Sequence, residues 1–369
     1  MTADLKQNQI GGWHQYTHSA TTAAWLAHHF YLHWRYTLDR EFLKQKAYPW
    51  FHSASIFLEA VTEIDDKGKR TLPLSSSPEI NDNRLDAWFP SITNYDLALI
   101  RFVFEKTEEL AKELNLTRES ERWQKRLGEM PDLSRDPETQ KLLVTQGHPL
   151  AESHRHFSHL MAIHPLGLVR WENGPQDQKT ISASLEDLKR LGTDHWTGYS
   201  FSWLANLAAR ARDGQTAEEA LVIFATAFCL RSSFHCNGDQ SGQGYSRYTY
   251  RPFTLEGNFA FAAGVQEMLL QSYSGTLRIF PALPKSWQDV AFKTLRTEGA
   301  FLVSATLTKG RTTAVDITSE NGGKCRVWNP FGDHEFQFSG ISRDKFAQEG
   351  EILILHLEPG ETARFRMLQ

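Results

Sequence analysis

The sequence has few cysteines, no long apolar run and little net charge. Its three cysteines, Cys229, Cys236 and Cys325, have neither the number of a disulfide framework nor the spacing of a metal-binding motif. No apolar stretch approaches the roughly 20 residues that span a bilayer. A formal net charge of −4 gives no electrostatic basis for binding nucleic acid or an anionic membrane. We therefore predict neither a nucleic-acid nor a membrane partner, and we expect the cysteines to be idle thiols.

The composition is typical of a globular protein with many aromatic residues. The chain of 369 residues is long enough for two domains, and 12% of it is Phe, Trp or Tyr. Several aromatic residues stand beside polar ones, as in Trp13-His14 and His195-Trp196. Such faces suit sugar rings, although packing of a helical core accounts for most of the aromatic residues.

Helical spacing of apolar residues dominates the first three quarters of the chain. Helices are predicted at residues 17–38, 41–64, 94–114, 117–127, 180–191, 200–211, 216–228 and 257–272. The helix at 216–228 opens with Thr216-x-x-Glu219, which predicts a capping box. Paired helices with long polar loops between the pairs favour an α/α toroid, and a simple helical bundle is the alternative.

After Gly275, apolar and polar residues alternate as they do in β-strands. Strands are predicted at residues 277–280, 300–307, 314–318, 324–328, 352–357 and 363–367. The dipeptide Asn321-Gly322 predicts a hairpin between two of them. The predicted fold class is therefore mainly α: a helical domain over residues 1–273, then a small antiparallel β-sandwich domain over residues 276–369.

The first candidate reactive group is Glu79, at the end of Ser75-Ser76-Ser77-Pro78-Glu79. Proline fixes its own φ and restricts the residue before it. The loop is therefore stiff, and it directs the carboxylate of Glu79. A solvated surface charge is the ordinary alternative for a glutamate in a loop.

The second candidate is the run His154-Arg155-His156-Phe157-Ser158-His159, which is dense in titratable side chains. Arg155 offers a planar fork of donors that suits vicinal hydroxyls or a carboxylate. His156 and His159 are three residues apart and would share one face of a helix. That spacing also suits a metal, but no third ligand stands at a recognisable spacing. Sugar contacts, structural hydrogen bonds and metal binding are all open at this point.

The third candidate is Glu256 in Leu255-Glu256-Gly257-Asn258-Phe259, where a helix is predicted to begin. The positive end of the helix dipole favours an ionised carboxylate, which suits a base. A simple helix cap is the alternative, and Gly257 would then allow a close backbone approach. Two carboxylates on separate loops, one acid and one base, meet the requirement of glycoside hydrolysis.

Together these segments resemble glycoside hydrolase family 95, the group of 1,2-α-L-fucosidases and α-L-galactosidases. The resemblance rests, in order, on WLA at 25–27, SSSPE at 75–79, HRHFSHL at 154–160, LEGNF at 255–259 and FPALP at 280–284. It implies an (α/α)6 barrel followed by a β-domain, and an inverting mechanism without a cofactor or metal.

The resemblance also implies roles for individual residues. Glu79 matches the general acid of the family, and Arg155 and His156 match residues that contact the sugar. Glu256 stands where the fucosidases have an aspartate that polarises water-positioning asparagines. Its extra methylene shifts the carboxylate by about a bond length, enough to disturb a positioned water. To the same sugar site we assign Trp13, His14, His159 and Asn258.

The predicted helices are about eight of the twelve that an (α/α)6 barrel needs, and the water-positioning asparagines would lie upstream. We therefore expect the chain to be the C-terminal part of a longer enzyme. We expect it to be poorly active alone, and to self-associate through exposed apolar helix faces.

The sequence thus predicts an inverting exo-glycoside hydrolase that removes terminal α-L-fucose or α-L-galactose from an oligosaccharide or glycan. The alternatives are a non-catalytic sugar-binding relative and another α/α-toroid enzyme, such as a glycoside phosphorylase. Because relatives of this family are mostly bacterial and many act outside the cytoplasm, the resemblance favours a periplasmic or extracellular location.

Overall fold

The computed structural model describes residues 2–4, 9–11 and 14–368, and the chain divides into two compact units. The first unit comprises Met1–Tyr31, Arg40–Ser200 and Gly244–Tyr248, and the second comprises Leu32–Asp39, Phe201–Gln243 and Thr249–Gln369. The two units are described separately below. None of the helices in the described part of the chain is long and apolar enough to cross a membrane.

The described α-helices, in chain order, are α1 (His14–Thr17), α2 (Thr22–Thr37), α3 (Arg40–Phe42), α4 (Tyr48–Val61), α5 (Asn94–Glu113), α6 (Thr117–Glu129), α7 (Pro175–Leu191), α8 (Gly198–Arg210), α9 (Gly214–Ile223) and α10 (Glu256–Leu269). Short π-helical segments, Leu43–Ala47 and Phe224–Phe228, adjoin α4 and α9. Each of the eight predicted helices overlaps one or more of these elements.

The first unit is built around α5, which packs against α4 and α6. The helix predicted at residues 94–114 buries one apolar stripe, since Leu97, Ile100 and Phe104 are each at most 1% exposed. The ring of Trp123 from α6 stacks on Phe104 with 5.7 Å between ring centroids. This packing gives the loops before and after α5 a rigid base.

The cap of α9 differs from the prediction. The helix begins at Gly214, and the side chain of Asp213 accepts a 3.0 Å hydrogen bond from the amide of Thr216. Thr216 therefore lies inside the first turn and is not the capping residue, so the predicted capping box was wrong. Asp is as good a capping acceptor as Thr, and here the cap lies three residues, or most of a turn, earlier than predicted.

The described strands, in chain order, are β1 (Thr2–Asp4), β2 (Gln9–Gly11), β3 (Glu63–Ile64), β4 (Arg70–Thr71), β5 (Leu270–Gln271), β6 (Arg278–Ile279), β7 (Val290–Thr297), β8 (Phe301–Thr308), β9 (Arg311–Ser319), β10 (Gly323–Trp328), β11 (Phe336–Ser339), β12 (Phe346–Glu349), β13 (Ile352–Leu357) and β14 (Thr362–Met367). Two antiparallel sheets stand out in the second unit. Their strand orders are β11-β14-β9-β8-β7 and β10-β13-β12.

The two sheets share one apolar core. Val303 and Ile317 from the five-stranded sheet and Val327 and Leu355 from the three-stranded sheet are at most 1% exposed and belong to one cluster. Alternation of buried and partly buried residues along β8 places every second side chain in this core. A helical region followed by an antiparallel sheet domain is thereby confirmed. Closure of the helices into a toroid and the boundary at 273–276 stay predictions.

The prediction of a hairpin at Asn321-Gly322 is wrong. This dipeptide joins β9 to β10, but β9 lies in the five-stranded sheet and β10 pairs with β13 in the other. Gly322 does adopt the positive φ, +77°, that the turn signal requires. The flanking strands nevertheless part, because each buries its apolar face in the shared core from opposite sides.

Candidate active site

Glu79 lies on a loop of the first unit that is anchored by a buried hydrogen-bond network. Ser75 donates to one oxygen of Asp96 at 2.7 Å, and Thr21 donates to the other at 2.6 Å. The amide of Thr93 donates to Ser75 Oγ at 2.9 Å. Burial raises the pKa of Asp96 to about 6, against hydrogen bonds from Thr21 and Ser75 that lower it. The serines before Glu79 thus serve the framework of the loop.

The loop is also tied to the histidine-rich segment. The hydroxyls of Ser77 and Ser158 are 2.6 Å apart, and both side chains are buried. The carbonyl of Arg155 accepts a 2.8 Å hydrogen bond from Ser200. Two motifs that are about eighty residues apart in sequence are therefore held side by side.

The main chain of Glu79 has an unfavourable conformation that its neighbours hold in place. Its φ is +60°, which costs a residue with a Cβ roughly 1 kcal/mol or more. Gln15, which is 2% exposed, accepts from the amide of Glu79 and donates to the carbonyl of Ile80, both at 2.8 Å. A ring nitrogen of His154 lies 3.2 Å from the carbonyl of Glu79. These contacts fix the direction in which the carboxylate points.

Three side chains surround the carboxylate of Glu79. Tyr16 donates to Oε1 at 3.0 Å, and Arg155 donates to Oε2 in a charged hydrogen bond. Nδ1 of His156 lies 3.7 Å from Oε2. The side chain of Glu79 is 18% exposed, so it is partly open to solvent. The structure places Glu79, Arg155 and His156 next to one another, and their roles toward a substrate stay predictions.

Burial sets the protonation of the groups around Glu79. It lowers the pKa of His154, and it lowers the pKa of His156 to about 4 although Glu79 acts in the opposite direction. His156 is therefore neutral at pH 7, and its Nδ1 lies 3.4 Å from the carbonyl of Pro78. Burial, and then Glu79, raise the pKa of Tyr16 above its usual range, so its hydroxyl keeps its proton. The site thus offers neutral hydrogen-bonding groups, which suit sugar hydroxyls.

His159 lies deeper than the other histidines. It is in a short 3-10 turn, Ser158–Leu160, and is 3% exposed. Burial lowers its pKa to about 3, and its Nδ1 has no hydrogen-bond partner within the described structure. Across residues 2–4, 9–11 and 14–368 there is no group of three His, Cys, Asp or Glu side chains that could hold a metal ion. A sugar contact by His159 stays a prediction.

Trp13 lies outside the described residues, whereas His14 begins α1. His14 is exposed, and its amide donates a 2.8 Å hydrogen bond to the side chain of Asn83. Its ring stacks on His18, with 5.9 Å between the ring centroids. α1 therefore brings His14 and Tyr16 to the loop that carries Glu79, and a sugar contact by His14 stays a prediction.

Glu256 belongs to the second unit, where it is the first residue of α10 and is exposed. The capping position is Leu255, which makes no side-chain cap, so Glu256 lies in the first turn, as the helix dipole favours for a carboxylate. Burial lowers the pKa of His235. The charge of Glu256 opposes this effect, but the net shift of the pKa is downward. The hydroxyl of Thr254 is 2.8 Å from Nδ1 of His235.

The residues after Glu256 hold the preceding loop. A Cβ on Gly257 would come within 2.5 Å of Nδ1 of His235, so the predicted close backbone approach is present. Asn258 donates to the carbonyl of Ser233 at 2.9 Å and accepts from the amide of His235 at 3.3 Å. The side chain of Asn258 is thus used inside the protein, and its role toward a sugar stays a prediction.

Several residues that shape the site were not predicted from the sequence, namely Gln15, Tyr16, Asp96 and His235. Three of them had a local signal. Gln15 and Tyr16 follow the Trp13-His14 pair directly, and Asp96 stands three residues after Thr93, the capping residue of α5. That spacing indicates a helix start, but it does not show that the carboxylate turns back toward Ser75.

Comparison with known proteins supports the resemblance. The family profile for the glycosyl hydrolase family 95 catalytic domain matches residues 2–269, and the profile for the C-terminal domain of the family matches residues 271–363. The chain is 30% identical over 315 residues to alpha-L-fucosidase 2 of Arabidopsis thaliana. This similarity covers 82% of the chain but 36% of the relative, so the chain spans about a third of that protein's length.

Comparison with solved structures gives matches of low similarity. A GH127 beta-L-arabinofuranosidase from Geobacillus stearothermophilus T6 has 11% identity and a TM-score of 0.40, covering 95% of this chain and 62% of that one. An alpha-L-rhamnosidase from Dictyoglumus thermophilum has 10% identity and a TM-score of 0.49, covering 94% and 39%. The two family profiles match nearly the whole sequence, and on that ground the chain belongs to glycoside hydrolase family 95.

Proposed function

We propose that this chain carries the acid–base residues of an inverting exo-glycoside hydrolase that releases terminal α-L-fucose or α-L-galactose. Membership of the family and the similarity to a plant alpha-L-fucosidase support this class of reaction. The observation that carries the proposal is the carboxylate of Glu79, placed between Tyr16 and Arg155 beside the neutral His156.

Glu79 is the proposed general acid. In its protonated form it would give its proton to the glycosidic oxygen as the bond to the anomeric carbon breaks. The carboxylate that remains would accept hydrogen bonds from Tyr16 and Arg155, which stabilise the developing negative charge. Each of these donors uses only part of the hydrogen-bonding capacity of one oxygen, so Glu79 can still carry a proton toward the substrate.

Glu256 is the proposed base. It would take a proton from the water that attacks the anomeric carbon on the face opposite the leaving group. Its position in the first turn of α10 favours the ionised form that a base needs. The extra methylene, compared with the aspartate of the family, would select a different position of the water.

The acid role of Glu79 is tested in the natural protein with Glu79→Gln. We expect the rate on an α-L-fucosyl oligosaccharide to fall by roughly 10²- to 10⁴-fold, since a poor leaving group needs the proton. The rate on an aryl fucoside with an acidic phenol as leaving group should fall much less. Asp86→Asn is the matched control, because Asp86 is on the same loop and pairs with Arg84 at the surface. Equal losses on both substrates would remove Glu79 from the acid role.

Inversion is tested separately by following the first product by proton NMR. We expect the sugar to appear first as the β-anomer, which then mutarotates. Initial release of the α-anomer would show that the reaction retains configuration, and the assignment of Glu256 as base would then be wrong.

A non-catalytic sugar-binding role is the second candidate. It is favoured by the two protein donors that already occupy Glu79, and by Glu256 where the family has aspartate. Calorimetric binding of L-fucose by the natural protein, without hydrolysis of any α-L-fucoside or α-L-galactoside, would support this role in place of catalysis.

A further inference from the structure

The sheet domain of the second unit has an open cavity of about 600 Å³ that the proposed reaction does not use. Its walls are formed by β6, by the turn between β8 and β9, and by the segment that follows β10. A volume of this size is in the range of small-molecule sites. It is therefore large enough for one or more sugar rings.

A partly exposed tryptophan forms one wall of this open cavity, which we call the groove. Trp328, at the end of β10, is 41% exposed, whereas its neighbour Val327 is 1% exposed in the core. The guanidinium of Arg278 lies 5.6 Å from the centre of the Trp328 ring. Arg278 is itself held by Ser274 Oγ at 2.7 Å and by the carbonyl of Thr276 at 3.3 Å. The groove thus has an aromatic face with a fixed cation beside it.

The charge of the lining is positive. Arg212 and Arg311 join Arg278 in the wall, and Asp333 is the acidic residue among the lining side chains. Three arginines against one aspartate favour an anion. The planar donor fork of arginine matches a carboxylate or a sulfate, and it can form two parallel hydrogen bonds to either.

The segment after β10 is preformed. Asn329 is 8% exposed, and its side chain donates to the carbonyl of Gly332 at 2.9 Å and accepts from the amide of Phe331 at 3.1 Å. A ligand would therefore meet a loop that is already ordered, which lowers the entropic cost of binding.

We propose that this groove is an accessory site for a carbohydrate that carries a carboxylate or a sulfate group. The indole of Trp328 would stack on the apolar face of a sugar ring, and Arg278 and Arg311 would bind the acidic substituent. Such a site would hold the acidic part of a glycan on the sheet domain. The residues that form this accessory site take no part in the proposed acid–base chemistry.

The test is calorimetric titration of the natural protein with four probes. These are trigalacturonate, a sulfated galactan oligosaccharide, neutral galactotriose and ATP. We expect at least one acidic sugar to bind roughly tenfold or more tightly than the neutral one, because hydrogen bonds between charged groups are stronger than those between neutral groups. Its affinity should fall as salt is raised. Comparison of the two acidic probes shows whether the carboxylate or the sulfate is recognised.

Variants assign the binding to the groove. Trp328→Ala should abolish binding of the acidic sugar, and Arg311→Gln should weaken it several-fold. Arg231→Gln is the matched control, because it removes the same charge from an exposed residue that does not line the groove. Glu79→Gln should leave the affinity unchanged, so that failure of the catalytic proposal does not affect this result. Thermal unfolding of each variant checks that the fold is intact.

Three results would overturn the proposal. The first is that neither acidic sugar binds. The second is that neutral galactotriose binds as tightly as they do. The third is that ATP binds with the same dependence on Trp328 and displaces the sugars, which would identify a nucleotide site.

Discussion

The hydroxyl of Tyr16 donates a 3.0 Å hydrogen bond to Oε1 of Glu79, sixty-three residues further along the chain. The side chain of the preceding residue, Gln15, forms hydrogen bonds with the amide of Glu79 and the carbonyl of Ile80. One short helix therefore holds both the backbone and the carboxylate of the proposed acid. This arrangement separates two effects that mutagenesis can measure, namely the charge at the carboxylate and the direction in which it points.

Tyr16→Phe removes the hydrogen bond to Oε1 and keeps the ring. We expect kcat on an α-L-fucosyl oligosaccharide to fall roughly 10- to 100-fold, since a hydrogen bond to a charged group is worth about 1.5–3 kcal/mol. Tyr48→Phe is the control, because the Tyr48 hydroxyl is buried without a hydrogen-bond partner in the described part of the chain. An unchanged kcat for Tyr16→Phe would show that this donor does not act in the rate-limiting step.

Gln15→Met keeps the length of the side chain and removes both of its hydrogen bonds. We expect the positive φ of Glu79 to relax, and kcat to fall at least as much as in Tyr16→Phe because the acid is no longer aimed. Measurement of kcat on the activated aryl fucoside provides the control, since that substrate depends less on the acid. If both substrates lose activity equally, the substitution has disturbed more than the acid.

Asp96→Asn tests how the loop depends on pH. The folded pKa of about 6 lies above the unfolded value near 3.9, so this group contributes stability that is fully present below pH 4. That contribution is lost as pH rises through 6, and it amounts to roughly 3 kcal/mol. From pH 4 to pH 7 the wild type should therefore lose stability relative to Asp96→Asn. The measurement is the unfolding free energy of both proteins in urea at each pH. A constant difference would contradict the raised pKa.

Gly257→Ala tests the close approach of α10 to His235. The new Cβ would stand 2.5 Å from Nδ1 of His235 and 2.7 Å from the ring of Phe224. We expect a loss of about 1–3 kcal/mol of unfolding free energy from overpacking. Gly128→Ala in α6 is the control, because nothing lies within 4 Å of its Cβ and alanine is the better helix former. If Gly257→Ala were as stable as the wild type, the loop around His235 would have to shift at little energetic cost.

The sequence by itself determined most of the secondary structure and the three motifs. Helical periodicity located α5 to within one residue, and strand alternation located β13. It missed β7, because a bulge between Phe292 and Leu295, with Thr294 at a φ of +61°, interrupts the alternation. These signals are local, since they depend on the burial of a regular element and on turn residues.

The tertiary structure alone decided which distant residues meet. No periodicity relates Gln15 and Tyr16 to Glu79, or Ser77 to Ser158, because these contacts depend on how packed helices place their loops. The same holds for β9 and β10, which a turn signal joins but a shared core separates into two sheets. A local pattern fixes which face of an element is buried, whereas the partner of that face is chosen by the packing of the whole unit.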